Sequence, residues 1–165
     1  MNTNRAWSRV ILFVLGVALV FQISPVMAGA SSKQEGNRQR GTLAVSFTKW
    51  VIGNGPAMAG HAQGGRARFV GEVLDLRVSE TLGIARIEAI YEIQAGRHSF
   101  TALIDGGQSL LTRRAVLDGV ILHGWHAGAR VHVEYLAKDS CPNPPAGATP
   151  ECYVGTIYID RASEK

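Results

Sequence analysis

The residues best able to do chemistry gather in one stretch, Ala115 to Tyr135, AVLDGVILHGWHAGARVHVEY. It reads as two strands joined by a Gly-bearing turn and carries His123, His126 and His132. On a strand, residues i and i+2 point the same way, so His132 and Glu134 could share the ligand sphere of a metal. A zinc site needs further ligands and outer groups that orient them. Neither His123-x-x-His126 nor His132-x-Glu134 reproduces a zinc spacing with a mechanism behind it. The better reading puts His123 and His126 on an exposed turn. Arg130, His132 and Glu134 then form the solvent face of a strand, and no metal or cofactor is expected.

Two carboxylates offer acid-base chemistry. Asp118 lies between Val116 and Val120 on one face of an otherwise apolar strand, and Glu72 sits similarly between Val70 and Leu74. A carboxyl enclosed in a barrel has its pKa pushed up and can act as a general base. The competing reading pairs it with an arginine such as Arg113 or Arg114, or sets it on the outer face at a bend. Trp50, Tyr91, Trp125 and Tyr135 are candidates to line an apolar pocket, since small barrels can hold one small ligand in the mouth. The same aromatics could equally fill the core. No GxSxG nucleophile motif is present, and the glycines between Gly53 and Gly65 lead into neither GK[ST] nor a helix, so no phosphate loop is expected.

The elements that must position these groups are strands. In Thr42 to Ile52, Leu43, Val45 and Phe47 share one face, with Ala44, Ser46 and Thr48 on the other. Gly53 to Gly65, rich in glycine, reads as a loop. Arg66 to Glu80 is a second strand region, with Gly71 marking a bulge or bend. Ile84 to Gln94 alternates cleanly, with Ala85, Ile87, Ala89, Tyr91 and Ile93 on one face, and its β-branched content favours strand over helix. Ala95-Gly96-Arg97 is a hairpin turn, His98 to Ile104 a strand, and Asp105-Gly106-Gly107 a break. Ser109 to His123 holds one or two strands, Ala129 to Ala137 another, and Tyr153 to Asp160 the last. Seven or eight consecutive strands without a convincing helix predict an all-β antiparallel meander. Gly71, Gly119 and Gly155 inside strands suit sharp bending and closure into a barrel, which also removes exposed edges; a β-sandwich is the alternative.

The ends of the chain give a compartment. Arg5 and Arg9 precede the apolar run Val10 to Ile23, a Ser24-Pro25 break, and small residues around Ala28 and Ala30. That is the layout of a secretory signal, with cleavage expected after Ala28 or Ala30, and the run is short of the roughly 20 residues that span a bilayer. The expected organisation is a signal over 1–30, a polar spacer over 31–40, one barrel domain over 41–160 and a short tail over 161–165. The mature protein is expected to be secreted or periplasmic, with no stable membrane insertion. The formal charge of the whole chain is +4, but Arg5 and Arg9 leave with the signal and Arg38 and Arg40 lie in the spacer. No basic stripe interleaved with aromatics remains, so no nucleic-acid partner is expected. Cys141 and Cys152 are the 2 cysteines, separated by PNPPAGATPE. An even count in an exported chain favours a disulfide that ties the base of a stiff loop. A metal pair or two free thiols is the alternative, but two sulfurs do not fill a tetrahedral site and no histidine is near.

Several short motifs carry a resemblance. Gly64-Gly65-Arg66-Ala67-Arg68-Phe69-Val70-Gly71 resembles the GGxGxFxG turn-strand of the allene oxide cyclase and dirigent barrels, with Ala67 where a third glycine is usual. A strand ending in a Gly-Trp turn (Leu117 to Trp125), a GAxVHVE-type strand (Gly128 to Glu134) and a Cys-loop-Cys-x-x-Gly-Thr-Ile ending (Cys141 to Ile157) are similar to small exported bacterial proteins with such a barrel. The resemblance spans about Gly41 to Ile159 and implies a barrel without an assigned activity. The glycine motif lies early here and late in the plant enzymes, so their catalytic residues are not carried over. Two functions follow as expectations: a non-enzymatic barrel holding a small apolar ligand or a surface partner, or a cofactor-free isomerase or cyclase of the allene oxide cyclase kind. Two or more polar side chains converging inside an apolar interior would separate a site from a merely packed barrel.

Overall fold

The computed structural model describes residues 42–160. The expected signal, its cleavage point, the spacer and the C-terminal tail fall outside the described residues. Eight strands, β1 (Thr42–Ile52), β2 (Ala57–Ala62), β3 (Ala67–Ser79), β4 (Ile84–Gln94), β5 (Phe100–Ser109), β6 (Arg114–Gly124), β7 (Arg130–Lys138) and β8 (Ala148–Asp160), follow one another around a closed antiparallel barrel. Every neighbour in sequence is a neighbour in space, and β8 closes on β1 through a register running from Thr42 opposite Asp160 to Ile52 opposite Ala148. An eight-stranded barrel is just wide enough for side chains to fill it. Val45, Phe47, Phe69, Tyr91, Ile93, Ile104, Leu117, Val133 and Ile157 do so. The outer face mixes charges such as Arg68, Arg86, Glu88 and Arg130 with exposed apolar residues such as Val116, Val120 and Leu122.

Four segments differ from the sequence reading. Ala57–Ala62 is a strand inside what reads as one long loop. Its inward residues Met58, Gly60 and Ala62 are mostly too small to register as an apolar alternation. At Gly60 the backbones approach closely enough that a Cβ would come within 2.0 Å of the Thr48 carbonyl oxygen. The Asp105-Gly106-Gly107 run does not break β5 but continues it to Ser109. A Cβ on Gly106 would lie 2.2 Å from the Val116 carbonyl oxygen, so glycine there answers crowding against β6 rather than a turn. Finally, β8 begins at Ala148, ahead of the second cysteine. The bulge in β3 falls between Val73 and Asp75 rather than at Gly71.

The strands are unequal, and that shapes one end of the barrel. β2 pairs with β3 only as far as Ala57 opposite Glu72, whereas β3 and β4 continue to Ser79 opposite Ile84. Leu76 and Val78 stand opposite the inward-facing Ile87 and Ala85, yet are 56% and 58% exposed. The overhang therefore presents an apolar lip at the end of the barrel where the β1–β2, β3–β4, β5–β6 and β7–β8 connections lie. Leu110 and Leu111 in the β5–β6 turn add to the exposed apolar surface there.

Candidate functional site

Lys49 is the one buried charged side chain among the described residues, 3% exposed. Its position follows from β1 parity. Leu43, Val45 and Phe47 point inward, and the next residue in that series is Lys49. Its Nζ is hydrogen-bonded to the Tyr91 hydroxyl and lies 3.3 Å from the Met58 sulfur. Five rings surround it, with centroids 4.2 Å (Tyr91), 4.7 Å (Tyr135), 5.3 Å (Tyr153), 5.8 Å (Phe69) and 5.9 Å (Phe47) from Nζ. No carboxylate pairs with it among the described ion pairs. Burial pulls its pKa down to about 7. The ring faces attract a cation and work in the opposite direction. At neutral pH this amine is divided between its charged and uncharged forms.

Small residues make room for the large ones. Tyr91 stands between Gly71 on β3 and Ala102 on β5. Tyr135 stands between Ala115 on β6 and Gly155 on β8, and Phe47 faces Gly155 from the other side. A Cβ on Gly155 would come within 2.6 Å of the Tyr135 Cβ and 2.9 Å of the Phe47 ring. Lys49 itself sits between Gly60 and Tyr153. The aromatic cage is thus written into the alternation of large and small residues around one level of the barrel.

Outward from the cage, toward the lipped end, a second ring of polar groups begins. The Tyr135 hydroxyl donates to Gln108 Oε1 at 3.1 Å, and the Tyr153 hydroxyl donates to Glu151 Oε2 at 2.8 Å. The other Glu151 oxygen accepts from Arg113 at 2.6 Å, and Arg113 also donates to Asp139 at 2.6 Å. Hydrogen bonds to Asp139 and then Glu151 hold the Arg113 guanidinium firmly charged. Burial pushes all three tyrosine hydroxyls up, so they stay protonated, Tyr135 and Tyr153 donating outward and Tyr91 accepting from Lys49; at Tyr153 the hydrogen bond to Glu151 adds to the shift. A surface depression lined by Val51, Asn54, Asp139, Thr149, Glu151 and Tyr153 opens here. Tyr153 is only half-buried; it borders both this depression and the Lys49 cage.

The sequence candidates separate into three places. Tyr91 and Tyr135 lie inside the barrel in the Lys49 cage. Trp50 is buried but on the outside, beneath the Cys141–Cys152 loop, with its ring 5.8 Å from that of His61 and its Nε1 without a hydrogen-bond partner. Trp125 lies at the opposite end, packed against His98 and His126 at 4.7 and 4.4 Å. The four therefore do not line one pocket.

Asp118 and Glu72 are both exposed on the outer face, because each falls on the outward parity of its strand. The reading of a carboxyl enclosed among valines is corrected: Val116 and Val120 are themselves 49% and 36% exposed. Asp118 instead accepts from His132 Nδ1 at 2.8 Å, with Glu134 3.3 Å from Nε2. The hydrogen bond to Asp118, aided by the weaker one to Glu134, raises the His132 pKa. The triad lies on the solvent face of β6 and β7, and no cluster of three metal-ligating side chains able to hold an ion occurs among the described residues.

Cys141 and Cys152 form a disulfide, S–S 2.01 Å. It folds the loop down over Trp50, where the Asn143 carbonyl meets His61 Nε2 at 3.3 Å. Lys49, Tyr153 and Glu151 escaped the sequence reading, and Arg113, read there as a possible partner of Asp118 or Glu72, pairs instead with Asp139 and Glu151. Continuing the β1 alternation by one step would have found Lys49. The series Glu151, Tyr153, Gly155, Ile157, Ile159 would have found the other inward face.

Comparison of the chain with protein-family models, with curated proteins and with solved structures found no match in any of the three.

Proposed function

We propose that this protein is an exported barrel that binds a small, largely apolar molecule at its lipped end, with the Lys49–Tyr91–Tyr135–Tyr153 cluster as the polar floor of the site. The observation that carries this reading is the cluster itself. A buried lysine without a counter-ion costs several kcal/mol relative to an apolar side chain of similar volume. Methionine or leucine would fill the same space, so packing alone gives no reason for an amine there. The amine and the Tyr91 hydroxyl meet inside an otherwise apolar interior, and the rings of Tyr135 and Tyr153 close over the amine while their hydroxyls bond outward to Gln108 and Glu151, a polar group set in apolar surroundings as expected of a ligand site. The exposed Leu76, Val78, Leu110 and Leu111 around the same end suit an apolar ligand. The disulfide supports export to an oxidising compartment. The competing reading, a cofactor-free isomerase or cyclase resembling the allene oxide cyclases, relied on Asp118 or Glu72, and both face away from the interior.

Native mass spectrometry of protein purified from its own host is the direct test. The expected result is a retained small molecule in the wild type that is lost in Lys49→Met. Absence of any retained molecule, together with no saturable binding of naphthalene or benzaldehyde by titration, would overturn the proposal.

A further inference from the structure

We infer that the ligand site takes aldehydes or ketones and holds them covalently, as an imine on the Lys49 amine; this rests on the ligand-binding reading above. The geometry supplies each component. Among the described residues Lys49 Nζ has no carboxylate partner to hold it as an ammonium ion, and its one hydrogen-bonded oxygen there is the Tyr91 hydroxyl. A hydroxyl against the amine can pass a proton to the carbonyl oxygen as the C–N bond forms, and recover one as water leaves. The rings of Tyr91, Tyr135 and Tyr153 stand 4.2, 4.7 and 5.3 Å from Nζ, so an imine there is surrounded by aromatic faces that keep bulk water out. Desolvation of a lysine among apolar groups is how such an amine is made nucleophilic near neutral pH. Tyr153 separates Nζ from the depression at the barrel end and is the one half-buried tyrosine of the three. A carbonyl compound entering from that side reaches Nζ when the Tyr153 ring turns aside.

The step balances without an oxidant or reductant. The amine nitrogen attacks the carbonyl carbon, and the C=O π pair moves to oxygen, which takes a proton. The nitrogen gives up its two hydrogens over the two stages, the C–O bond breaks, and one water is released for each C=N formed. Hydrolysis reverses it, so the capture is reversible.

The other strong candidates are weaker. The Asp118–His132–Glu134 triad is solvent-exposed and forms its own ion pairs. The groove beside Trp50 offers an unpartnered Nε1 but little that would select a ligand class.

The test uses benzaldehyde and sodium cyanoborohydride on the purified protein, followed by peptide mapping. The reagent reduces an imine to a stable benzylamine, so the modified lysine is identified directly. Lys138, exposed on β7, is the internal comparison. Labelling is expected at Lys49 at least about tenfold faster than at Lys138 near pH 7, the enclosure of the buried amine offsetting part of the gain from its desolvation. The Lys49 rate should level off above neutrality, and Tyr91→Phe should slow it. Lys49→Met removes a buried charge and is expected to fold. It should lose the adduct; naphthalene, which has no carbonyl, reports on the apolar site of the wild type. Labelling at Lys138 with none at Lys49, in protein that binds naphthalene saturably, overturns the imine and leaves the binding site standing. Failure of naphthalene binding and of Lys49 labelling together overturns both.

Discussion

Lys49 on β1 and Tyr91 on β4 are hydrogen-bonded to each other across the barrel interior, although their strands are not neighbours. The pair joins opposite walls of the barrel through two polar atoms in an otherwise apolar layer. Its energetics are legible through pH. Lys49 has a folded pKa lowered from 10.5 to about 7. Between those values the unfolded chain holds a proton that the folded chain has released, so this group makes stability rise with pH. Below about 7 both states are protonated and the full cost of the buried charge is present.

Lys49→Met should therefore stabilise the protein at pH 6 by about 2–4 kcal/mol, the cation–π attraction offsetting part of the desolvation cost. The difference from wild type should shrink toward pH 9.5, below the range where the tyrosines titrate. Urea unfolding at the two pH values measures it; a variant less stable than wild type at pH 6 would show that the cage more than repays burial.

Tyr91→Phe should cost about 1–3 kcal/mol, because it leaves the buried amine without its hydroxyl partner. In the Lys49→Met background the same change should be neutral or mildly stabilising, since the hydroxyl then has no amine to meet. A double-mutant cycle by chemical denaturation isolates the coupling. Zero coupling would mean the two groups do not depend on each other in solution.

Much of this barrel can be read from sequence, and the exceptions share a cause. β1 and β4 match their alternation end to end because their inward residues include large apolar side chains. β2 and the second half of β5 go unseen because closure crowds neighbouring backbones together. The inward positions there (Gly60, Gly106) must be glycine, which a linear reading takes for a loop or turn. The start of β8 is hidden by Pro150. The site was missed for a different reason. Residue type argued that Lys49 belongs in water while strand parity argued that it points inward, and parity prevails because the closed sheet fixes the facing of every residue. The carboxylates Asp118 and Glu72 show the converse, with apolar neighbours on the outer face giving a false impression of burial.

The glycine pattern gives a paired prediction. Gly155→Ala places a Cβ 2.2 Å from the Glu134 carbonyl oxygen and against both Tyr135 and Phe47, so it should destabilise by about 2–4 kcal/mol or prevent folding. Gly107→Ala, whose nearest neighbour is the Ala85 carbonyl oxygen at 3.7 Å, should stay within about 0.5 kcal/mol of wild type. Thermal denaturation of both variants decides; equal effects would deny that closure sets these positions.

On the outer face, the Asp118 carboxylate holds the His132 imidazolium, so the folded pKa of His132 is raised. A raised pKa means that the stabilisation is present below the unfolded pKa of histidine and is lost as pH rises through the folded value. Asp118→Asn should lower the His132 pKa in an NMR titration and leave the Lys49-dependent part of the stability profile unchanged. An unaltered His132 pKa would assign the shift to Glu134 instead.

The disulfide acts on two levels that reduction can separate. Cys141 and Cys152 are 11 residues apart, so the loop-entropy account predicts a loss of about 2–3 kcal/mol when both become serine. The loop they close also covers Trp50, which is 1% exposed on the outer wall. Opening the loop should admit water to that indole and shift its fluorescence to the red, while the inward-facing Lys49 cage, on the other side of the sheet, keeps its pH response. Lost stability with unchanged fluorescence would mean that the loop stays seated through the Asn143–His61 contact. A lost Lys49 pH response would mean that the barrel itself depends on the bridge.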